Sequence, residues 1–158
     1  MTANRRRRHT MLRRAAGWLA LAYLAALALI AFWPTPVDRG LNGSISAFVL
    51  WLHANGVPAW LDYESIEFSA NIALFVPVGL LIVLLTGIRR WWIGTLIGTL
   101  ISCTIELGQL VFLPERFATV NDVIANSLGA LLGTLIAAVV LRVALGPAHP
   151  PAAVAQTT

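Results

Sequence analysis

Charge is scarce in this chain and unevenly supplied. Only 11% of the 158 residues are charged and lysine is absent, so all eleven basic residues are arginine; soluble domains carry about a quarter charged residues. A single cysteine, Cys103, excludes a disulfide framework and a Cys/His zinc pattern, and it sits in an apolar run as a packing residue. Ser102 has no His or Lys base near it in sequence, which leaves nucleophilic triad chemistry without support. Walker, dinucleotide and zincin motifs are all missing. His9 and His149 lie in terminal segments and His53 stands alone, so no histidine metal site is expected. Glu106 and Asp122 come without a recognisable cation loop. The expectation is no metal and no cofactor.

What is present is apolar length. Hydrophobic residues make up 58% of the chain. Four runs, 15–33, 68–87, 91–113 and 121–141, are each long enough for a hydrocarbon core of about 30 Å, which takes about 20 helical residues. The sequence therefore predicts an all-α membrane protein with four transmembrane helices in one domain, too short for the paired repeats of most transporters. The first run is expected to be retained rather than cleaved as a signal peptide, because it is long and no Ala-x-Ala-like site precedes Pro34.

Orientation follows from the arginines. With a cytoplasmic N-terminus, the inner segments hold Arg5, Arg6, Arg7, Arg8, Arg13, Arg14, Arg89, Arg90 and Arg142, and the outer ones only Arg39 and Arg116. Trp18, Trp91 and Trp92 then fall at inner ends, and Trp33, Trp51 and Trp60 at or beyond the outer end of the first span. Both termini are expected to be cytoplasmic: a basic segment over 1–14 that sets topology and meets anionic lipid, and a disordered Pro-rich tail over 146–158. Nucleic-acid binding has no other support. Residues 34–67 form an extracytoplasmic loop in which Ile45, Phe48, Val49 and Leu52 recur at helical spacing, predicting a short interfacial or re-entrant helix over 44–53.

The last two spans carry polar residues at the ends that meet in one loop: Glu106, Gln109, Asn121, Asp122 and Asn126. At 100° per residue, Gly94, Gly98, Ser102, Glu106 and Gln109 share an arc of about 120°, and Asp122, Asn126, Gly129, Gly133 and Ala137 one of about 80°. Gly-xxx-Gly spacing lets helix backbones approach closely in lipid, and the simplest arrangement packs these two seams against each other, with the polar ends around a shared outer cavity. The second span, with Asn71 at its outer end, adds a third wall. Pro77 in that span removes a backbone donor and predicts a local kink that bends Asn71 either toward the cavity or away from it. Arg116 is the cation in the loop, placed to pair with Glu106 or Asp122.

Two readings of these residues compete. Asn, Gln and Ser in bundles commonly serve as interhelical glue worth about 0.6 to 2 kcal/mol per pair, and Asp122, in the first turn of its helix, is favoured there by the dipole and as a cap. Glu106 lies about two turns below its helix end. A carboxylate at that depth is costly and marks a functional site.

The stretches Asn71-Ile-Ala-Leu-Phe-Val-Pro77-Val-Gly79, Glu106-Leu-Gly-Gln109, and Arg116 followed by Asn121-Asp122-Val-Ile-Ala-Asn126-Ser-Leu-Gly129 and Gly133, in that order, resemble the VanZ-like family, membrane proteins named for a component associated with teicoplanin resistance. The resemblance covers about half of the chain, from 68 to 138, and extends the assignment to a VanZ-like membrane domain over 15–145. It implies a ligand-binding cluster of Asn71, Glu106, Gln109, Arg116, Asp122 and Asn126 and an envelope role connected with glycopeptide resistance, but no particular reaction. The expected partner is a membrane lipid or lipid-linked envelope ligand. An enzyme acting on a lipid-linked substrate, with Glu106 as general base and Arg116 stabilising anionic charge, is the alternative with Glu106 and Asp122 as catalytic candidates, and is less favoured than binding. A purely structural membrane partner is the third.

Overall fold

A computed structural model describes residues 2–33, 42–113 and 119–145. Among them the chain forms five helices: α1 (Thr2–Ala31), α2 (Asn42–Ala54), α3 (Tyr63–Thr86), α4 (Trp92–Phe112) and α5 (Val120–Leu145), with a 3-10 turn at Ile88–Arg90 before α4. Four segments are long and apolar enough to cross a membrane, Arg14–Ala31, Tyr63–Thr86, Trp92–Phe112 and Val120–Ala144. The four expected spans are all present. This is a multi-pass membrane protein of all-α class.

Local chemistry accounts for the boundaries. α1 begins well before the expected position 15, because arginine is a good helix former and neither Gly nor Pro interrupts the segment before Gly17. α3 begins at Tyr63 rather than near 68. Asp62 caps it, accepting the Ser65 N–H at 2.9 Å while the Ser65 hydroxyl accepts the Asp62 N–H at 3.0 Å, a reciprocal box that fixes the first turn. Gly87 ends the helix at a φ of 87°, which only glycine adopts freely, and its N–H bonds the Val83 carbonyl at 2.8 Å. α3 continues as one helix through Pro77.

Hydrogen bonds between helices fix the relative directions. Asn71 near the start of α3 bonds Asp122 in the first turn of α5, Glu106 in α4 bonds Thr119 just ahead of α5, and Gln109 near the end of α4 bonds Ala31 at the end of α1. One end of the bundle thus gathers the C-termini of α1 and α4 and the N-termini of α3 and α5. We call it the cluster end.

The buried face of α4 consists of Gly94, Gly98, Ser102, Glu106 and Gln109, the five residues placed on one arc by helical phase. The partners of the glycines differ from expectation. The Gly129 and Gly133 seam of α5 faces α3, not the Gly94 and Gly98 seam of α4: side chains at these positions would overlap the carbonyls of Ile72 and Val76. Gly79 of α3 returns the contact against the Ala130 carbonyl. α4 lies over Ala130 and Thr134, the next residues around α5, with Gly98 against the Ala130 side chain and Gly94 against Thr134. α5 is therefore small on two adjacent faces, and α3 takes the glycine one. Leu27, Phe75, Val78 and Ala130 form the apolar centre, which Tyr23, Leu74, Ile101 and Ile105 flank.

α1 is the outlying helix. The Tyr23 hydroxyl donates to the Leu74 carbonyl at 2.6 Å, one residue from the Ala73 carbonyl that Pro77 leaves without its helical donor. At the cluster end the Phe32 ring rests against Gly108.

The α3/α5 approach makes a direct prediction. Gly133→Ala puts a Cβ onto the Val76 carbonyl and should cost about 1 to 3 kcal/mol by overpacking, lowering the detergent melting temperature. At Gly17 an added Cβ would meet nothing within 4 Å, so Gly17→Ala should hold or raise it by helix propensity. Equal melting of the two variants would contradict the close approach.

Candidate functional site

α5 starts where it does because Thr119 caps it. The Asp122 N–H donates to Thr119 Oγ1 at 3.1 Å, and the Thr119 hydroxyl donates to Asp122 Oδ2 at 2.8 Å. In an ordinary capping box the carboxylate of the third helical residue takes the backbone N–H of the cap. Here that N–H donates instead to Glu106 Oε2 of α4 at 3.2 Å, so a glutamate from a neighbouring helix completes the cap. The second oxygen of Asp122, Oδ1, accepts the Asn71 side-chain amide of α3 at 2.6 Å. Glu106, Thr119, Asp122 and Asn71 form one chain of hydrogen bonds across three helices.

The electrostatics favour this placement. Glu106 is only 9% exposed and Asp122 is half-buried, a costly state for carboxylates. Both lie at the N-terminus of α5, where the macrodipole and unbonded N–H groups favour negative charge. Inside α4 the backbone N–H groups around Glu106 are taken up by the helix itself, so the donor from the start of α5 supplies what α4 does not.

Deeper in the bundle, polar residues pair between α4 and α5. The Asn126 amide donates to Ser102 Oγ at 3.0 Å, and the Thr99 hydroxyl donates to Ser127 Oγ at 3.0 Å. Asn126 Oδ1, Thr95 Oγ1 and Thr134 Oγ1 are buried without a hydrogen-bond partner among the described residues. Asn126 is 5% exposed. Gln109 turns the other way, donating to the Ala31 carbonyl at the end of α1 at 2.8 Å.

The six proposed ligand-binding residues therefore separate. Asn71, Glu106 and Asp122 come together through Thr119. Asn126 lies one turn below Asp122, bonded to Ser102, and Gln109 anchors α1. Arg116 lies outside the described residues. Asn121 is exposed at the cluster end. Cys103 is half-buried, and the His53 ring bonds the Leu61 carbonyl at 3.0 Å. Among the described residues no three His, Cys, Asp or Glu side chains gather into a metal-sized group. Sequence reasoning overlooked Thr119, although Thr119-Val-Asn-Asp122 has the spacing of a capping box; the pattern names the cap and leaves open its third partner from α4.

A family model described as VanZ/LLP1 matches residues 20–142, from within α1 to near the end of α5. No curated protein and no solved structure matches the chain.

Two stability measurements check the geometry. Thr119→Ala removes the cap hydroxyl and should cost about 1 kcal/mol. A double-mutant cycle on Ser102→Ala and Asn126→Ala should return a coupling of about 0.6 to 1.7 kcal/mol, the range for interhelical hydrogen bonds in lipid. Strict additivity would mean that the pair is not formed.

Proposed function

The chain belongs to the VanZ-like family of membrane proteins, and from that premise we propose that it acts at the cell envelope by holding the polar head group of a membrane lipid or lipid-linked ligand at its cluster end. In this reading the protein resides in the cell membrane with both termini cytoplasmic, which the arginine distribution supports, and the cluster end faces the outer leaflet. Glu106, Asp122 and Asn71 form the core of an outer-leaflet site to which Arg116 of the adjoining segment adds its charge, while Gln109 and Asn126 hold the neighbouring helices in place around it. No bond is broken. The physiological consequence is lower exposure of the cell to lipophilic glycopeptides of the teicoplanin type.

One observation carries the reading. Glu106 is a carboxylate buried in a membrane-spanning helix, about two turns from its end on a 1.5 Å rise. Such groups are rare in spans and commonly serve ligands. Its position beside the N-terminus of α5 supports head-group binding, since a helix N-terminus and a polar chain at one depth offer both donors and acceptors.

A second reading is favoured by a different observation: Asn71, Glu106, Gln109, Asp122 and Asn126 each bond a residue beyond their own helix. That is the pattern of interhelical glue, in which the cluster serves to close the bundle.

Glu106→Gln separates the two, because the amide keeps an acceptor oxygen for the Thr119 N–H while removing the charge. Native mass spectrometry of protein released from membranes, with identification of retained lipid, would be run beside glycopeptide susceptibility and a membrane blot. At normal abundance, loss of a charge-assisted hydrogen bond of about 1.5 to 3 kcal/mol should lower head-group retention about ten- to hundredfold. Unchanged retention and susceptibility at normal abundance would end the binding reading. A fall in abundance with unchanged retention per molecule would favour the glue.

A further inference from the structure

α2 connects the cluster ends of α1 and α3 and is apolar on nearly its whole circumference. Its sequence, Asn-Gly-Ser-Ile-Ser-Ala-Phe-Val-Leu-Trp-Leu-His-Ala, contains no Asp, Glu, Lys or Arg. One side is turned to protein, with Val49 buried and Ile45 and Leu52 partly covered. The opposite side is apolar as well, apart from exposed Ser44 in the first turn: Leu50 is 68% exposed, Trp51 58% and Phe48 55%, with exposed Ala47 and Ala54 between them in helical phase. Phe48 and Trp51 stack with ring centroids 6.0 Å apart.

A helix lying on a membrane surface needs a broad polar face, usually basic, for the water side. α2 has no such face. Its polar stripe is narrow, and the His53 ring within it is occupied by the Leu61 carbonyl. The end of the helix is closed internally too. The Trp51 carbonyl accepts from the Asn55 side chain at 2.8 Å, the Leu52 carbonyl from the Val57 N–H at 3.1 Å, and the His53 carbonyl from the Gly56 N–H at 3.1 Å. Gly56 makes the turn at a φ of 89°. Such a closure is a common way for a helix to end and meets the demand of hydrocarbon for internal partners.

Thirteen residues at 1.5 Å rise reach about 20 Å, short of a hydrocarbon core of about 30 Å. We infer that α2 is a non-spanning helix immersed in the leaflet at the cluster end, its Phe48, Leu50 and Trp51 face covered by lipid acyl chains. Both chain neighbours of α2 are spans, so the helix reaches this depth without any further anchor. Trp60, exposed in the turn before α3, is the aromatic suited to the head-group boundary. The inference does not depend on the ligand proposed above.

The test uses the full chain in phosphatidylcholine/phosphatidylglycerol vesicles. With Trp51 as the remaining tryptophan, the others being replaced by Phe, lipids brominated on the acyl chain should remove most of its emission and aqueous iodide little. In parallel, Leu50→Cys in a Cys103→Ser background, carrying a nitroxide, should collide with oxygen far more than with a water-soluble nickel chelate; this arm decides if the tryptophan variant does not fold. Strong iodide quenching, or nickel collision exceeding oxygen collision, would overturn the immersion. So would protection from both reagents with spin–spin broadening between labels, which would assign the face to a second copy of the chain.

Discussion

Close backbone contact between α3 and α5 is the constraint on which the rest of the bundle depends. In lipid there is no hydrophobic drive between helices, so association relies on packing and hydrogen bonds. Gly79, Gly129 and Gly133 let two backbones meet carbonyl against Cα, with no room for a side chain at any of the three. That contact fixes the rotation of α5 about its axis. With the Gly129 and Gly133 face turned to α3, Ala130, Thr134, Asn126 and Ser127 are left for α4, and the two hydrogen-bonded pairs to Ser102 and Thr99 follow.

The same rotation sets up the cluster end. Asp122 lies two turns before Gly129, and the α3/α5 contact brings it to Asn71, one residue before Ile72, whose carbonyl faces Gly129. Glu106 reaches across from α4 to the open N–H of Thr119. The cluster thus joins two demands. The helix start needs acceptors for its free N–H groups, and the carboxylates need donors in a poorly solvated place. Each satisfies the other, which is why two acidic side chains can stand near one another at this depth.

The outlying elements obey the same rule that buried backbone groups find internal partners. Gln109 bonds the Ala31 carbonyl at the end of α1, and Tyr23 bonds the Leu74 carbonyl beside Pro77. α2 closes its own last turn through Asn55, Gly56 and Val57. Such economy is expected where water does not reach, and it is shared by spans and by the short helix between them.

Much of this was legible in the chain, because helix length and helical phase are local properties. Apolar run length alone determined the four spans, and 100° per residue placed Gly94, Gly98, Ser102, Glu106 and Gln109 on the face of α4 that is buried. The gathering of Glu106, Asp122 and Asn71 at one end followed from alternating span direction. Phase, however, names a face and not the neighbour that meets it. Only the tertiary structure decided that the α5 glycines meet α3 rather than the α4 glycines, since α5 offers small residues on two adjacent faces and the choice rests on which backbone fits closer. It likewise turned Gln109 away from the cluster to α1 and brought Glu106 to the Thr119 N–H. Those pairings join residues distant in sequence, and their partners are backbone groups that every residue carries, so side-chain identity could not announce them.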